Sequence, residues 1–131
     1  MLECLIVGDS IAKGVGQVRT ECVTLAQTGI TSHDWNNTYN RKIQPARTTI
    51  ISLGSNDYRL LNTQIELVAL RHRVASDRVF WIVPANQSRK QEIVQNIARS
   101  YGDTFITIPE LSPDGVHPTA RGYRMLGKLT K

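Results

Sequence analysis

Five short apolar runs, each bounded by glycine or proline and separated by stretches with helical spacing, constrain this chain more than any other feature. The runs lie at residues 2–7, 22–26, 48–53, 78–83 and 104–108. The second ends at Gly29, the third at Gly54, the fourth at Pro84 and the fifth at Pro109. They are near-continuous rather than alternating, and the third is rich in β-branched residues (Thr48, Thr49, Ile50, Ile51), which predicts strands covered on both faces. Between them, residues 62–75 put Ile65, Val68, Ala69 and His72 on one helical face. Residues 88–100 stack Ile93, Ile97 and Tyr101 beside Val94 and Ala98. Residues 118–129 follow Pro118, a residue suited to a first helical turn, and align Tyr123 with Leu126. A less regular helix spans 32–39. Strand–helix alternation of this kind predicts an α/β fold, a parallel sheet with helices on both faces. Without an internal repeat, low-complexity segment or linker, residues 1–131 are expected to form one domain.

At 131 residues the chain is long enough to bury roughly two-thirds of its unfolded surface, so folding requires neither metal nor disulfide. No run of about 18 apolar residues is present, so no membrane span is expected. The first residues enter an apolar run directly, with no basic leader or small-residue cleavage site, and the expectation is a cytoplasmic protein. Release by lysis or another route stays open. Cys4 and Cys22 fall in the first two predicted strands, outside any CxxC or metal-ligand pattern. Two buried reduced thiols are expected there in preference to a disulfide.

The formal charge is +5. Its basic residues are scattered through 41–47, 71–78, 89–99 and 121–131 without interleaved aromatics. They read as solvated surface, and no nucleic-acid partner is expected.

In an open α/β sheet, chemistry collects at the carboxyl ends of the strands. The first strand is followed by Gly8-Asp9-Ser10, the second by Thr28-Gly29-Ile30 and the third by Gly54-Ser55-Asn56-Asp57. The loop after the fifth carries Asp114-Gly115-Val116-His117. A nucleophile candidate, two donors and an Asp/His pair therefore share one rim. Each has an ordinary structural reading: Asp9 or Ser10 as a helix cap, Asn56-Asp57 as an Asx turn, Gly29 and Asp114-Gly115 as turns. Gly14-Val15-Gly16 opens a dinucleotide motif, but Arg19 stands where the third glycine belongs. Lys13-Gly14 lacks Walker spacing. A receiver-like phosphoacceptor role for Asp57 fails for want of a paired acidic cluster.

Together, Gly8-Asp9-Ser10, Gly29, Gly54-x-Asn56-Asp57 and Asp114-x-x-His117 resemble blocks I, II, III and V of the SGNH (GDSL-like) hydrolase superfamily, in the family's order and across nearly the whole chain. The resemblance implies a three-layer flavodoxin-like fold with a five-stranded parallel sheet of order 2-1-3-4-5. It also implies a serine esterase. Ser10 would be the nucleophile, His117 its base and Asp114 the residue orienting His117. The Ser10 and Gly29 backbone N–H groups and the Asn56 side-chain amide would form the oxyanion hole.

That order sets strand five about three strand spacings from strand one, roughly 14 Å. Loop 109–117 can stretch roughly 26 Å and so return His117 to Ser10. Asp9 and Asp57 are expected to hold loops in place, either able to substitute if Asp114 does not reach His117. His72 and Trp81 are expected to be structural, while His33, Trp35 and Tyr58 could border the site. No cofactor or metal is expected. The substrate expected is a small acyl ester, acetyl above all, on a carbohydrate. The alternatives are a thioesterase or lysophospholipase-like acyl hydrolase, or a non-catalytic glycan-binding module. The chain is compact for the family, so a shallow site completed by a second subunit in a homo-oligomer stays open.

Overall fold

A computed structural model describes residues 1–131. At its centre lie five parallel strands, β1 (Leu2–Gly8), β2 (Val23–Ala26), β3 (Ala46–Ser52), β4 (Arg78–Val83) and β5 (Thr104–Thr107), in the order β2-β1-β3-β4-β5. Helices α1 (Ser10–Val18), α2 (Ser32–Tyr39), α3 (Thr63–Arg73), α4 (Ser88–Tyr101) and α5 (Ala120–Leu129) cover both faces. This is the three-layer flavodoxin-like fold expected from the sequence. No helix is long and apolar enough to cross a membrane.

The continuous apolar runs are explained by the two covered faces. On β1, Leu5 and Val7 point into a core shared with Trp35, Leu67, Leu70 and Ile97. Ile6, between them, enters a second core with Ile11, Val15 and Leu126. Each aliphatic side chain so buried contributes about 2 kcal/mol. The edge strands β2 and β5 are less covered. An ion pair ties α3 to the start of β5: Arg71 grips both oxygens of Asp103, at 2.7 and 2.9 Å, and Trp81 donates its indole N–H to the same carboxylate.

Several expectations are corrected. Cys4 and Cys22 are joined in a disulfide instead of lying as free thiols. The β1–β2 register pairs Leu5 with Val23, which sets Cys4 beside Cys22, with 4.7 Å between their Cα atoms. On α3 the buried stripe is Thr63, Leu67 and Leu70, while Ile65 is exposed. Pro118 lies before the Thr119 cap of α5 and pairs with Leu111 in an isolated antiparallel bridge, so it is not in the first turn. Trp35 is fully buried and donates to the Leu25 carbonyl at 3.0 Å; it is a core residue and not a rim contact.

Helix α1 carries two glycines that weaken its local helical signal but let it pack closely against its neighbours. A Cβ at position 14 would lie 2.3 Å from the Tyr123 ring of α5, and one at position 16 would lie 2.5 Å from the Thr24 hydroxyl of β2. Both positions are sites of close helix packing. They do not form a nucleotide loop.

Candidate active site

The central strand delivers Ser10. β1 ends at Gly8 with φ +143°, where a Cβ would overlap the Ser52 carbonyl of β3. Only glycine lets the two strand ends approach so closely. Asp9 then caps α1, its carboxylate accepting the Ile11 N–H at 3.0 Å and the Ser55 hydroxyl at 2.9 Å. Asp9 is fully buried, and that burial pushes its carboxyl pKa up, against the opposing pull of the Ser55 and backbone hydrogen bonds. It therefore ties the first loop to the third. Ser10 follows as the first residue of α1.

His117 reaches Ser10 across 107 positions of sequence: the Ser10 hydroxyl lies 2.9 Å from His117 Nε2. The loop that carries it is folded tightly back on itself. Ser112 N–H donates to the His117 carbonyl at 2.8 Å, and Thr119 N–H to the Glu110 carbonyl at 3.1 Å. Gly115 turns the chain with φ +71°.

Inside that turn, one oxygen of Asp114 accepts the N–H groups of Val116 and His117 and the Ser112 hydroxyl, at 2.8 to 2.9 Å. Its other oxygen lies 2.7 Å from His117 Nδ1. The backbone N–H of His117 first, then that of Val116, the His117 ring and Ser112, hold the Asp114 carboxyl well below the usual carboxylate range. An ionised carboxylate can only accept, so Nδ1 carries the hydrogen, and it is the neutral form of the ring that offers the bare lone pair of Nε2 to Ser10. The Asp114 and His117 side chains are each about half exposed (50% and 43%), so this end of the array is open to solvent.

The remaining predicted residues lie in loops leaving the neighbouring strands. Gly29 follows β2, adopts φ +77° and leaves its N–H without a partner in the protein, as does Ser10. Asn56 follows β3 in a turn closed by Asp57 N–H to the Gly54 carbonyl. One N–H of its amide reaches the Ile30 carbonyl at 3.2 Å, while the other has no protein partner. Asp57 is a buried hub, accepting from the Ser32 N–H at 2.7 Å and from the Thr63 hydroxyl at 2.8 Å.

His33 pairs with Glu66 at 2.9 Å; that hydrogen bond and charge raise its pKa. His72 is exposed, its ring edge-on to that of Tyr101, whereas Trp81 lies in the core, as expected.

Two supporting groups escaped sequence reasoning. Ser112 stands two residues before Asp114 and could have been found as part of the turn. Lys90 is buried and donates to the carbonyls of Ser55 and Asp57. A lysine in the first turn of an amphipathic helix ordinarily signals surface.

Two concavities border the loops that carry Asn56 and Gly29. One of about 250 Å³ is lined by Asp57, Tyr58, Arg59, Gln87, Arg89 and Lys90 among others. Another, of about 320 Å³, is lined mostly by polar groups that include Gln27, Thr28, Gly29, Asp34 and Asn37.

By architecture, then, the chain is a three-layer α/β/α protein with a Ser–His–Asp hydrogen-bonded array at the carboxyl rim of its sheet. Among solved structures it is similar to a presumed acylhydrolase of Bacteroides fragilis, with a TM-score of 0.69 and 16% identity over 96% of this chain and 83% of that one. It is also similar to the C-terminal catalytic domain of peptidoglycan O-acetyltransferase A from Streptococcus pneumoniae, carrying a methylsulfonyl adduct. That TM-score is 0.60, at 15% identity over 95% of this chain and 88% of the other. At these identities the likeness is one of fold. No protein-family profile and no curated protein sequence matches the chain.

Proposed function

We propose that this chain is a serine ester hydrolase of the SGNH type. One observation carries the proposal: the unbroken hydrogen-bonded array from Ser10 Oγ through the His117 ring to Asp114. A serine hydroxyl attacks an ester only if a base removes its proton as it does so. In this reading Ser10 Oγ bonds to the acyl carbon while its proton passes to His117 Nε2. Asp114 holds the ring and favours the imidazolium.

The oxygen that becomes negative is received by the free N–H groups of Ser10 and Gly29 and the unpartnered amide N–H of Asn56. Each donor of this kind is worth about 3 kcal/mol in the transition state. Collapse of the tetrahedral intermediate breaks the bond to the alcohol oxygen, which takes the proton from His117. Water then repeats the sequence on the acyl-serine and releases the carboxylic acid.

The likeness to proteins described as an acylhydrolase and an O-acetyltransferase supports acyl-group chemistry on this fold. For the substrate we favour a small acyl ester, acetyl above all, on a carbohydrate. The concavity beside Gly29 is lined mainly by polar residues, which suits a hydroxyl-rich acceptor better than a long acyl chain.

Hydrolysis of p-nitrophenyl acetate by the purified chain tests the reaction. Ser10→Ala and His117→Ala are each expected to lower kcat by about 1000-fold or more. An inactive parent, or undiminished activity in both variants, would overturn it and favour a glycan-binding module. Across a series of acyl lengths the rate is expected to be greatest for acetyl. A rise toward eight or more carbons would favour a lysophospholipase-like substrate.

A further inference from the structure

We propose that Lys90 is a positioning residue for the Asn56 amide, an inference that rests on the oxyanion role proposed for Asn56. Lys90 sits in the first turn of α4 and is only 7% exposed. Two effects disfavour a cation there. Burial strips its water and lowers its pKa, the nearby Asp57 charge opposing only in part. The N-terminal end of a helix also carries positive partial charge.

What offsets both is a pair of charge-assisted hydrogen bonds, from Nζ to the Asp57 carbonyl at 2.6 Å and to the Ser55 carbonyl at 3.1 Å. Those carbonyls belong to the two residues that flank Asn56. Asn56 itself is exposed and bears a single side-chain hydrogen bond, so little else restrains it. The ammonium bridges the Gly54–Asp57 turn and limits the rotation of the 55–56 peptide plane, which adjoins Asn56, and of the 57–58 plane one residue beyond. Meanwhile the Asp57 carboxylate anchors the same turn to Ser32 and Thr63. A donor held in place before reaction needs no reorganisation as the oxyanion forms, which is where such groups gain their effect.

A double-mutant cycle separates positioning from general support of the fold. Lys90→Met is expected to lower kcat for p-nitrophenyl acetate by about 10-fold or more with KM within about twofold, since losing such a donor outright costs about 100-fold or more. In an Asn56→Ala background the same change is expected to cost less than about twofold. Equal costs in both backgrounds, or no cost in the first, would overturn the proposal.

Lys90→Ala supplies a second measurement should Lys90→Met fold poorly. Added n-propylammonium, which replaces the missing carbons and charged nitrogen, is expected to restore kcat where tetramethylammonium does not. Equal effects of the two ions would count against it. The side-chain amide resonances of Asn56, assigned by their loss in Asn56→Ala, report on positioning without turnover. They are expected to broaden or split in Lys90→Met or Lys90→Ala. Unchanged resonances overturn the role of Lys90 whatever the hydrolytic activity, whereas an inactive parent with perturbed resonances overturns the esterase reading alone.

Discussion

Asp114 divides its work between its two oxygens, one holding the turn and the other holding the His117 ring. Because its folded pKa is depressed, its contribution to stability is fully present above the unfolded value of about 3.9 and is lost progressively as pH falls from there through the folded one. It stays ionised throughout the neutral range. Asp114→Asn separates the two tasks. The amide oxygen can still accept the Val116 and His117 N–H groups, but the NH2 then faces Nδ1 and forces the hydrogen onto Nε2, the wrong tautomer for taking a proton from Ser10. We expect kcat for p-nitrophenyl acetate to fall at least about 100-fold with the turn intact. A loss under threefold by steady-state kinetics would rule out the orienting role. The Asp114–His117 pair was legible in sequence because three-residue spacing confines it to one turn. Its link to Ser10 is long-range and was not fixed by that spacing.

At the scale of elements, α3 shows where periodicity runs out. Ile65, Val68, Ala69 and His72 have helical spacing, and so do Thr63, Leu67 and Leu70. A helix with two apolar stripes has no unique inward face. The choice is made outside the helix: Asn62 caps it at the Ile65 N–H, and the Thr63 hydroxyl is bound to the buried Asp57. Those contacts rotate Leu67 and Leu70 into the core and leave Ile65 63% exposed. Leu67→Ala is therefore expected to cost about 3 kcal/mol in urea unfolding, and Ile65→Ala under about 0.5 kcal/mol. The reverse ranking would restore the stripe expected from sequence. α1 illustrates the opposite case, a helix whose glycines weaken its local signal and strengthen its packing.

For the molecule as a whole, the disulfide and the candidate site lie at opposite ends of the sheet. Cys4 precedes Gly8 by four residues, about 13 Å along an extended strand, so the bond clamps the end of β1 and β2 remote from Ser10. Closing a loop with a sequence separation of 18 contributes about 3 kcal/mol, chiefly by restricting the unfolded chain. Reduction is expected to lower the unfolding free energy by about that amount while changing kcat less than twofold. Urea titrations and p-nitrophenyl acetate assays with and without a phosphine reductant check both halves. A large loss of kcat in a chain that remains folded would mean that the clamp reaches the rim.

What the sequence determined by itself was local and repetitive. Apolar runs closed by Gly and Pro specify strands covered on two faces. Ser10, Gly29 and Asn56, just beyond three strand ends, and His117, in the loop after the fifth, are legible because an α/β sheet places such loops on one rim. Tertiary structure alone decided that Cys4 and Cys22 face one another, since that depends on the β1–β2 register. It also decided which stripe of α3 turns inward and that Trp35 fills the core. And it placed Lys90 against the carbonyls of Ser55 and Asp57, the residues that flank Asn56, a meeting written in the packing of α4 against the β3 loop. Local signals report on a residue's own backbone and solvent exposure; partners distant in sequence are set by how the whole sheet and its helices fit together.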